Sequence, residues 1–363
     1  MSALGPTLPA QATIRGMNEP SAPPQAVDLP ALLARVSRSF GLSVRLLPAP
    51  MRAPVACGYL LARTSDSLAD SAQAQAGSAQ ALALWDQALQ TPAPRPAAMM
   101  GALAVQLPTL ASGLPDPHEA RLLGAWHEQL ALLDQLPAPD QQALRTVLRA
   151  ILDGQHADLQ GDLQAVQAGL QALPDTAALD RYTWQVAGSV GEFWCQMQLA
   201  HCGERGDAVV ARRYGMALQR LNMARDTAAD LARGRCYWPA SALAAQGIDP
   251  QQLADGVAAG RPPTAMAPLW QNWLDGLVAD LSAGLADALR LRGRRLRLAT
   301  ALPALLGLMT VQALRQAGLK ALCQPVKVPR AQVRRLLWPL LLQGASRSAL
   351  RRAGRAAGAT IDA

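Results

Sequence analysis

Cysteine is scarce in this 363-residue chain: there are five, Cys57, Cys195, Cys202, Cys236 and Cys323, with no Cys-x-x-Cys spacing among them. Number and scatter argue against a disulfide framework and a cysteine-built zinc site, and they suit a reducing compartment. Aromatic residues reach only 4% of the chain, too few for the stacking platforms that single-stranded nucleic acids use, so no nucleic-acid partner is expected. β-Branched residues are also sparse, and no segment alternates apolar and polar residues as a half-buried strand would. The chain has little in the way of long uncharged apolar runs. The nearest, Leu298 to Leu314, contains Pro303, Gly307 and Gln312 and falls short of the ~20 residues of a spanning helix, so it reads as a core helix. The first thirty residues show no charged start followed by an apolar stretch, so no secretory leader is expected.

What is plentiful is alanine and leucine, and half of the residues are apolar. Good helix formers in that proportion predict an all-α protein. Apolar residues recur at helical spacing between Pro/Gly/Asp clusters, which predicts helices over 29–46, 51–75, 79–90, 97–110, 118–134, 140–170, 177–203, 207–233, 264–291, 296–319 and 330–354. The organisation expected is a Pro/Ala-rich tail over 1–28, one catalytic domain over 29–325 and a basic helical extension over 326–363. The net charge of +8 and pI near 9.8 suit an anionic partner. The basic end, with Arg330, Arg334, Arg335, Arg347, Arg351, Arg352 and Arg355 beside Leu and Trp338, suits a solvated helix or one lying on an anionic membrane. A cytoplasmic protein is expected, with peripheral membrane contact as the alternative.

Two helices carry chemistry. In GYLLARTSDSLADSA, Asp66 and Asp70 stand four residues apart, on one face and about one turn from each other. Like charges so placed repel, and a cation between them, such as Mg²⁺ with its preference for oxygen ligands, would relieve the repulsion; a solvated acidic face is the alternative. In YGMALQRLNMARDTAADLARGRCYWP, residues Gln219, Asn222, Asp226 and Asp230 lie at offsets 0, 3, 7 and 11 and fall within a stripe roughly 80° wide. Amide and carboxylate oxygens in one line suit a magnesium ion that also keeps substrate phosphates in its shell. Arg225, Arg233 and Arg235 are then available for diphosphate oxygens, which the guanidinium fork matches. Two such helices facing each other across an apolar bundle could promote departure of a diphosphate and shelter a carbocation.

Taken together, these segments resemble the squalene/phytoene synthase family. The SxSF opening is matched by Ser37, Ser39 and Phe40, and the YxxxRxxDxxxD helix by Tyr59, Arg63, Asp66 and Asp70. The Y-x-x-x-VAG-x-VG helix is matched by Tyr182, Val186, Ala187, Val190 and Gly191. The QxxNxxRDxxxD helix with its following Arg-x-Tyr is matched by Gln219, Asn222, Arg225, Asp226, Asp230, Arg235 and Tyr237, and LPALLGLMT is similar to the family's late Pro-containing helix.

The resemblance implies an isoprenoid synthase fold, a single helical bundle around a central cavity. It implies magnesium at Asp66, Asp70, Asn222, Asp226 and Asp230. Two prenyl diphosphates, farnesyl diphosphate above others, would be joined head to head through a cyclopropylcarbinyl diphosphate. Ser37, Ser39, Phe40, Arg63, Val186, Ala187, Val190, Gly191, Gln219, Asn222, Arg225 and Arg235 would contact substrate, and Tyr59, Tyr182 and Tyr237 are candidates for the proton transfer. Reduction by NADPH would give squalene, and proton loss dehydrosqualene or phytoene. The CYWP ending and the late helix lean toward squalene. Three departures stand out: Val36 where many members have His, Gln185 where animal squalene synthases have Tyr, and Ala69 where an extra acid often precedes the last Asp. Rival readings are a presqualene diphosphate synthase that stops halfway, a terpene cyclase, and a basic membrane-surface binding protein.

Overall fold

The computed structural model describes residues 32, 33, 35, 40–71 and 77–361. Ala- and Leu-rich segments bounded by Pro and Gly give, among the described residues, sixteen α-helices of five residues or more: α1 (Phe40–Leu46), α2 (Ala49–Ser71), α3 (Ser78–Gln90), α4 (Ala97–Ser112), α5 (Pro117–Gly124), α6 (Trp126–Gln135), α7 (Ala138–Ala168), α8 (Thr176–Thr183), α9 (Ser189–Cys202), α10 (Ala208–Ala232), α11 (Ala240–Ala244), α12 (Pro250–Ala258), α13 (Ala267–Arg290), α14 (Arg294–Ala317), α15 (Arg330–Leu342) and α16 (Arg347–Ala356). The all-α expectation is met. The expected tail over 1–28 lies outside the described residues. The five cysteines are all unpaired.

Two large apolar clusters hold the bundle. One gathers α2 to α7, with Leu61, Trp85, Leu103, Leu123 and Leu148 inaccessible to solvent. The other gathers α10, α12, α13, α14 and the C-terminal pair, around Leu253, Leu281, Leu285, Leu305 and Leu350. The segment Arg294–Leu322 is long and apolar enough to cross a membrane by length and composition alone. Here most of it lies inside the second cluster, with Leu298, Leu305, Leu308 and Leu314 buried, as the Pro and Gly within it suggest.

Several boundaries differ from the sequence expectation. The helix expected over 118–134 is two, broken at Ala125, whose ψ of 21° leaves the helical range. The helix expected over 330–354 is also two, separated by Gly344 and Ala345, both at positive φ. Helices α11 and α12 were not expected. The second of them carries a legible signal, a capping box in which Asp249 and Gln252 satisfy each other's backbone amides behind Pro250.

One pair of two-residue strands exists among the described residues: Gln171–Ala172 pairs in parallel with Arg235–Cys236. This short bridge ties the chain leaving α7 to the chain leaving α10. The expected helix over 177–203 is continuous in course but contains a π turn at Trp184–Gly188, closed by the Ser189 amide on the Trp184 carbonyl. A π turn widens the helix locally and re-aims its side chains. Next to it, α10 comes unusually close: a Cβ at Gly191 would strike the Ala211 carbonyl, and one at Gly215 would strike that of Ala187. Only glycine permits this crossing.

Candidate active site

Helix α2 presents Tyr59, Ala62 and Asp66 at three- and four-residue steps, so all three fall on one face. Helix α10 starts with Asp207 accepting from the Val209 and Val210 amides at 2.9 and 3.1 Å, which satisfies two of its orphan donors. Its Leu221, Met223 and Ala224 are buried, whereas Gln219, Asn222, Arg225, Asp226 and Asp230 are partly or fully exposed. The polar stripe therefore faces away from the core, as its angular spacing predicts.

Between these helices lies a cavity of about 650 Å³, at the seam of the two apolar clusters. Tyr59, Ala62 and Asp66 line it from α2, and Ile151 from α7. Val186, Ala187, Val190 and Gly191 line it from the π turn and α9, Leu218, Leu221, Asn222 and Arg225 from α10, and Pro303, Leu306 and Gly307 from α14. Its volume is that of a small-molecule site, and its walls are apolar apart from a few convergent polar groups. Gly191 thus has two reasons to lack a side chain, the helix crossing and the cavity wall.

At one polar edge, Asp66 Oδ1 accepts from Gln155 Nε2 at 2.5 Å, and Arg63 Nη1 lies 3.8 Å from Asp66 Oδ2. The same guanidinium is paired with Glu119 through Nη2. On the α10 side, Arg225 holds Asp226 bidentately, Nε to Oδ1 at 2.9 Å and Nη2 to Oδ2 at 2.6 Å. Asn222 Nδ2 reaches Gln219 Oε1 at 3.5 Å, the long limit of a hydrogen bond. Burial, followed by the charge of Asp226, pushes the Asp230 carboxyl up to about 7, against the opposing pull of Arg233 and Arg235.

Beside the cavity, Asp158 of α7 gathers three groups that the sequence does not connect to it. Tyr182 donates to its Oδ2 at 2.6 Å, Tyr237 lies 3.3 Å from each oxygen, and Arg235 Nη1 lies 3.9 Å away. The two tyrosine rings stack at 5.2 Å with their hydroxyls 3.3 Å apart. Burial raises both phenols well above 10, and the Asp158 charge adds to it, so both stay protonated and act as donors. Tyr59, the third candidate for proton transfer, stands on the cavity wall, its phenol also raised chiefly by burial.

The structure thus brings Tyr59, Asp66, Val186, Ala187, Val190, Gly191, Asn222 and Arg225 to one cavity, with Arg63 and Gln219 adjoining. It sets Tyr182, Tyr237 and Arg235 around Asp158. Ser37 and Ser39 lie outside the described residues; Phe40 and Asp70 are helical, but their side chains are outside the description. Asp158, Gln155 and Glu119 were missed. The first two sit three residues apart on one face of α7, the only trace they leave in the sequence.

Among the described residues no group of three or more His, Cys, Asp or Glu side chains is close enough to hold a metal by itself. The donor set nevertheless fits a divalent cation shared with a ligand's phosphates. It is built of oxygens alone, and burial followed by the charge of Asp226 raises the Asp230 carboxyl, the second of which a cation would offset. Asp66, Asn222, Asp226 and Asp230 would hold it.

The model of the squalene/phytoene synthase family matches residues 33–338. A bifunctional lycopene cyclase/phytoene synthase of Colletotrichum graminicola is 28% identical over 230 residues, 61% of this chain and 36% of that protein. A 15-cis-phytoene synthase of Pantoea ananas is 28% identical over 240 residues, covering 66% of each. This chain therefore spans little more than a third of the fungal relative's length. The solved structure of TcSQS with the ligand E5700 superposes with a TM-score of 0.63 at 17% identity, covering 91% of this chain and 88% of that one. That likeness concerns the fold.

Proposed function

The chain belongs to the squalene/phytoene synthase family, and from that premise we propose that it joins two prenyl diphosphates head to head, farnesyl diphosphate being the substrate. The observation that carries this reading is the placing of Asp66 and the Asn222–Arg225 edge on one apolar cavity. Polar groups at the edge suit the diphosphates, and the Val, Ala and Leu walls suit two hydrocarbon tails.

Magnesium, when bound by Asp66, Asn222, Asp226 and Asp230, supplies positive charge that lowers the cost of releasing diphosphate. Arg225 turns from Asp226 to the leaving phosphate oxygens, for which its fork is equally suited. Apolar walls from Val186, Val190, Leu218 and Leu306 exclude water from the allylic cation. The double bond of the second substrate attacks that cation, one carbon–carbon bond forms, and a proton leaves as the cyclopropane closes. Tyr59 Oη stands on the wall where that proton can be taken up, by a phenol whose own proton passes onward to a phosphate oxygen. Tyr182 and Tyr237 fix Asp158 and, through Arg235, the electrostatics next to Asp230.

Loss of the second diphosphate then opens the cyclopropane. In the reductive reading, favoured by the CYWP and PALLGLMT segments, a hydride from NADPH completes squalene. In the second reading, favoured by the phytoene synthase relatives, proton loss completes dehydrosqualene or phytoene. Purified protein incubated with farnesyl or geranylgeranyl diphosphate and Mg²⁺, with and without NADPH, separates them by gas chromatography and mass spectrometry. Squalene formed only with NADPH supports the first reading. A polyene formed regardless of NADPH supports the second, and no turnover of either substrate overturns both.

A further inference from the structure

The C-terminal helices present a surface that the cavity chemistry does not use. In α15, Arg334, Arg335, Trp338 and Leu342 lie at offsets 0, 1, 4 and 8, within a stripe about 100° wide. Leu336, Leu337 and Leu340 lie on the opposite side and pack into the second apolar cluster. An ordinary amphipathic surface helix would turn only polar residues outward. Here Trp338 and Leu342 point outward, 66% and 72% exposed, one turn apart.

The charge around them is of one sign. Residues 288–361 contain fifteen arginines and lysines and no aspartate or glutamate, whereas residues 1–287 carry nineteen basic against twenty-five acidic residues. Arg334, Arg335, Arg351 and Arg355 are exposed and have no carboxylate within salt-bridge reach among the described residues. Arg352 of α16 donates to Gln343 at the end of α15, which joins the basic faces of the two helices.

We propose that this face docks on an anionic lipid bilayer, with Trp338 and Leu342 entering the headgroup boundary and the flanking arginines meeting lipid phosphates. Tryptophan suits that boundary because its ring is apolar and its N–H can still find a polar partner. Arginines beside it add attraction for a negative surface and suit phosphate geometry. A second copy of this chain fits less well, since a two-fold contact would set arginines against arginines. Nucleic acid fits less well because only one aromatic ring is on offer for stacking. This inference concerns binding and does not depend on which prenyl product is made.

The test is flotation of the full chain with vesicles of phosphatidylcholine alone or mixed with phosphatidylglycerol. Binding to the anionic vesicles and not the neutral ones is expected, weakening as salt is raised. The double variant Arg334→Glu with Arg335→Glu should bind at least roughly tenfold more weakly, since each basic residue contributes about fivefold at such a surface. Trp338→Ser with Leu342→Ser should also weaken binding several-fold. Both pairs are exposed, so each variant should keep its thermal transition, and either pair alone tests the assignment if the other misfolds. Absence of binding to anionic vesicles, equal binding to neutral ones, or unchanged binding in the folded variants would overturn it. So would a Trp338-dependent dimer or oligonucleotide complex that forms while vesicle binding does not.

Discussion

Tyr182 donates its hydroxyl proton to Asp158 Oδ2 at 2.6 Å. That single bond joins α7 to the helix carrying the π turn, and Tyr237 brings the segment after α10 to the same carboxylate. Three elements distant in sequence are thereby set around one charge, beside the acidic stripe of α10. A half-buried carboxylate with two phenol donors and a guanidinium is well satisfied, and loss of one member leaves the others unmatched.

Asp158→Ala should therefore destabilise the fold by about 1–3 kcal/mol, since it strands a buried phenol. Asp158→Asn keeps an acceptor for Tyr182 and should cost less. Urea unfolding of the two variants checks this; equal losses would show that the hydrogen bonds contribute nothing beyond packing.

Asp66→Asn and Asp226→Asn should each lower turnover on the order of a thousandfold, as loss of a group that stabilises developing charge does. Both side chains are nearly half exposed, so melting temperature should hardly move. Product formation from farnesyl diphosphate, measured beside a thermal melt, separates a chemical role from a structural one.

Chelation should abolish turnover without unfolding the protein, and added Mg²⁺ should restore it. Persistence of activity in excess chelator would remove the metal from the proposed mechanism.

Gly191→Ala should destabilise by about 3 kcal/mol, because the new Cβ meets the Ala211 carbonyl and one backbone must retreat. The usual helix-propensity gain of about 1 kcal/mol for Gly→Ala is too small to offset that clash. Gly101→Ala, where nothing stands near the added carbon, is the control, and thermal unfolding of both is the measurement.

Glu204 accepts from the Arg292 and Gly293 amides at the start of α14. Burial alone would raise its carboxyl, but the two amides together with the charges of Arg292 and Arg297 outweigh it, and the folded-state value lies below the ordinary 4.5. A carboxyl depressed on folding stabilises fully above its unfolded pKa and loses that contribution as pH falls through the folded one. Glu204→Gln should therefore be less stable than the parent at pH 7, with the gap narrowing below about pH 4.5. Unfolding free energies at pH 7 and pH 4 check it, and a gap that widens on acidification would contradict it.

The acidic helices were readable because their information is local. Asp66 and the Gln219–Asp230 stripe are fixed by spacing along a helix, and helical geometry then dictates which way they face. Asp158, Gln155 and Glu119 were not readable, since their roles exist only once α7 and α5 have packed beside α2 and the π turn. The residues of the VAG segment were read as contacts for substrate; Gly191 also accommodates the Ala211 backbone, a demand that no sequence spacing reveals. The break at Ala125 directly follows Gly124, a local signal that was read through, and the capping box at Asp249 was likewise visible while its short helix was overlooked.

The cavity runs along the seam between two separately buried clusters, and although Leu148, Phe193 and Leu221 of those clusters line it, other wall residues such as Val186 and Leu306 belong to neither. Substitutions at Val186, Leu218 or Leu306 can resize the chamber while Trp85 and Leu285 hold their halves together. In the proposed reaction, the length of prenyl chain accepted should then be adjustable at these wall positions with less loss of stability than a change at Trp85 or Leu285 would bring.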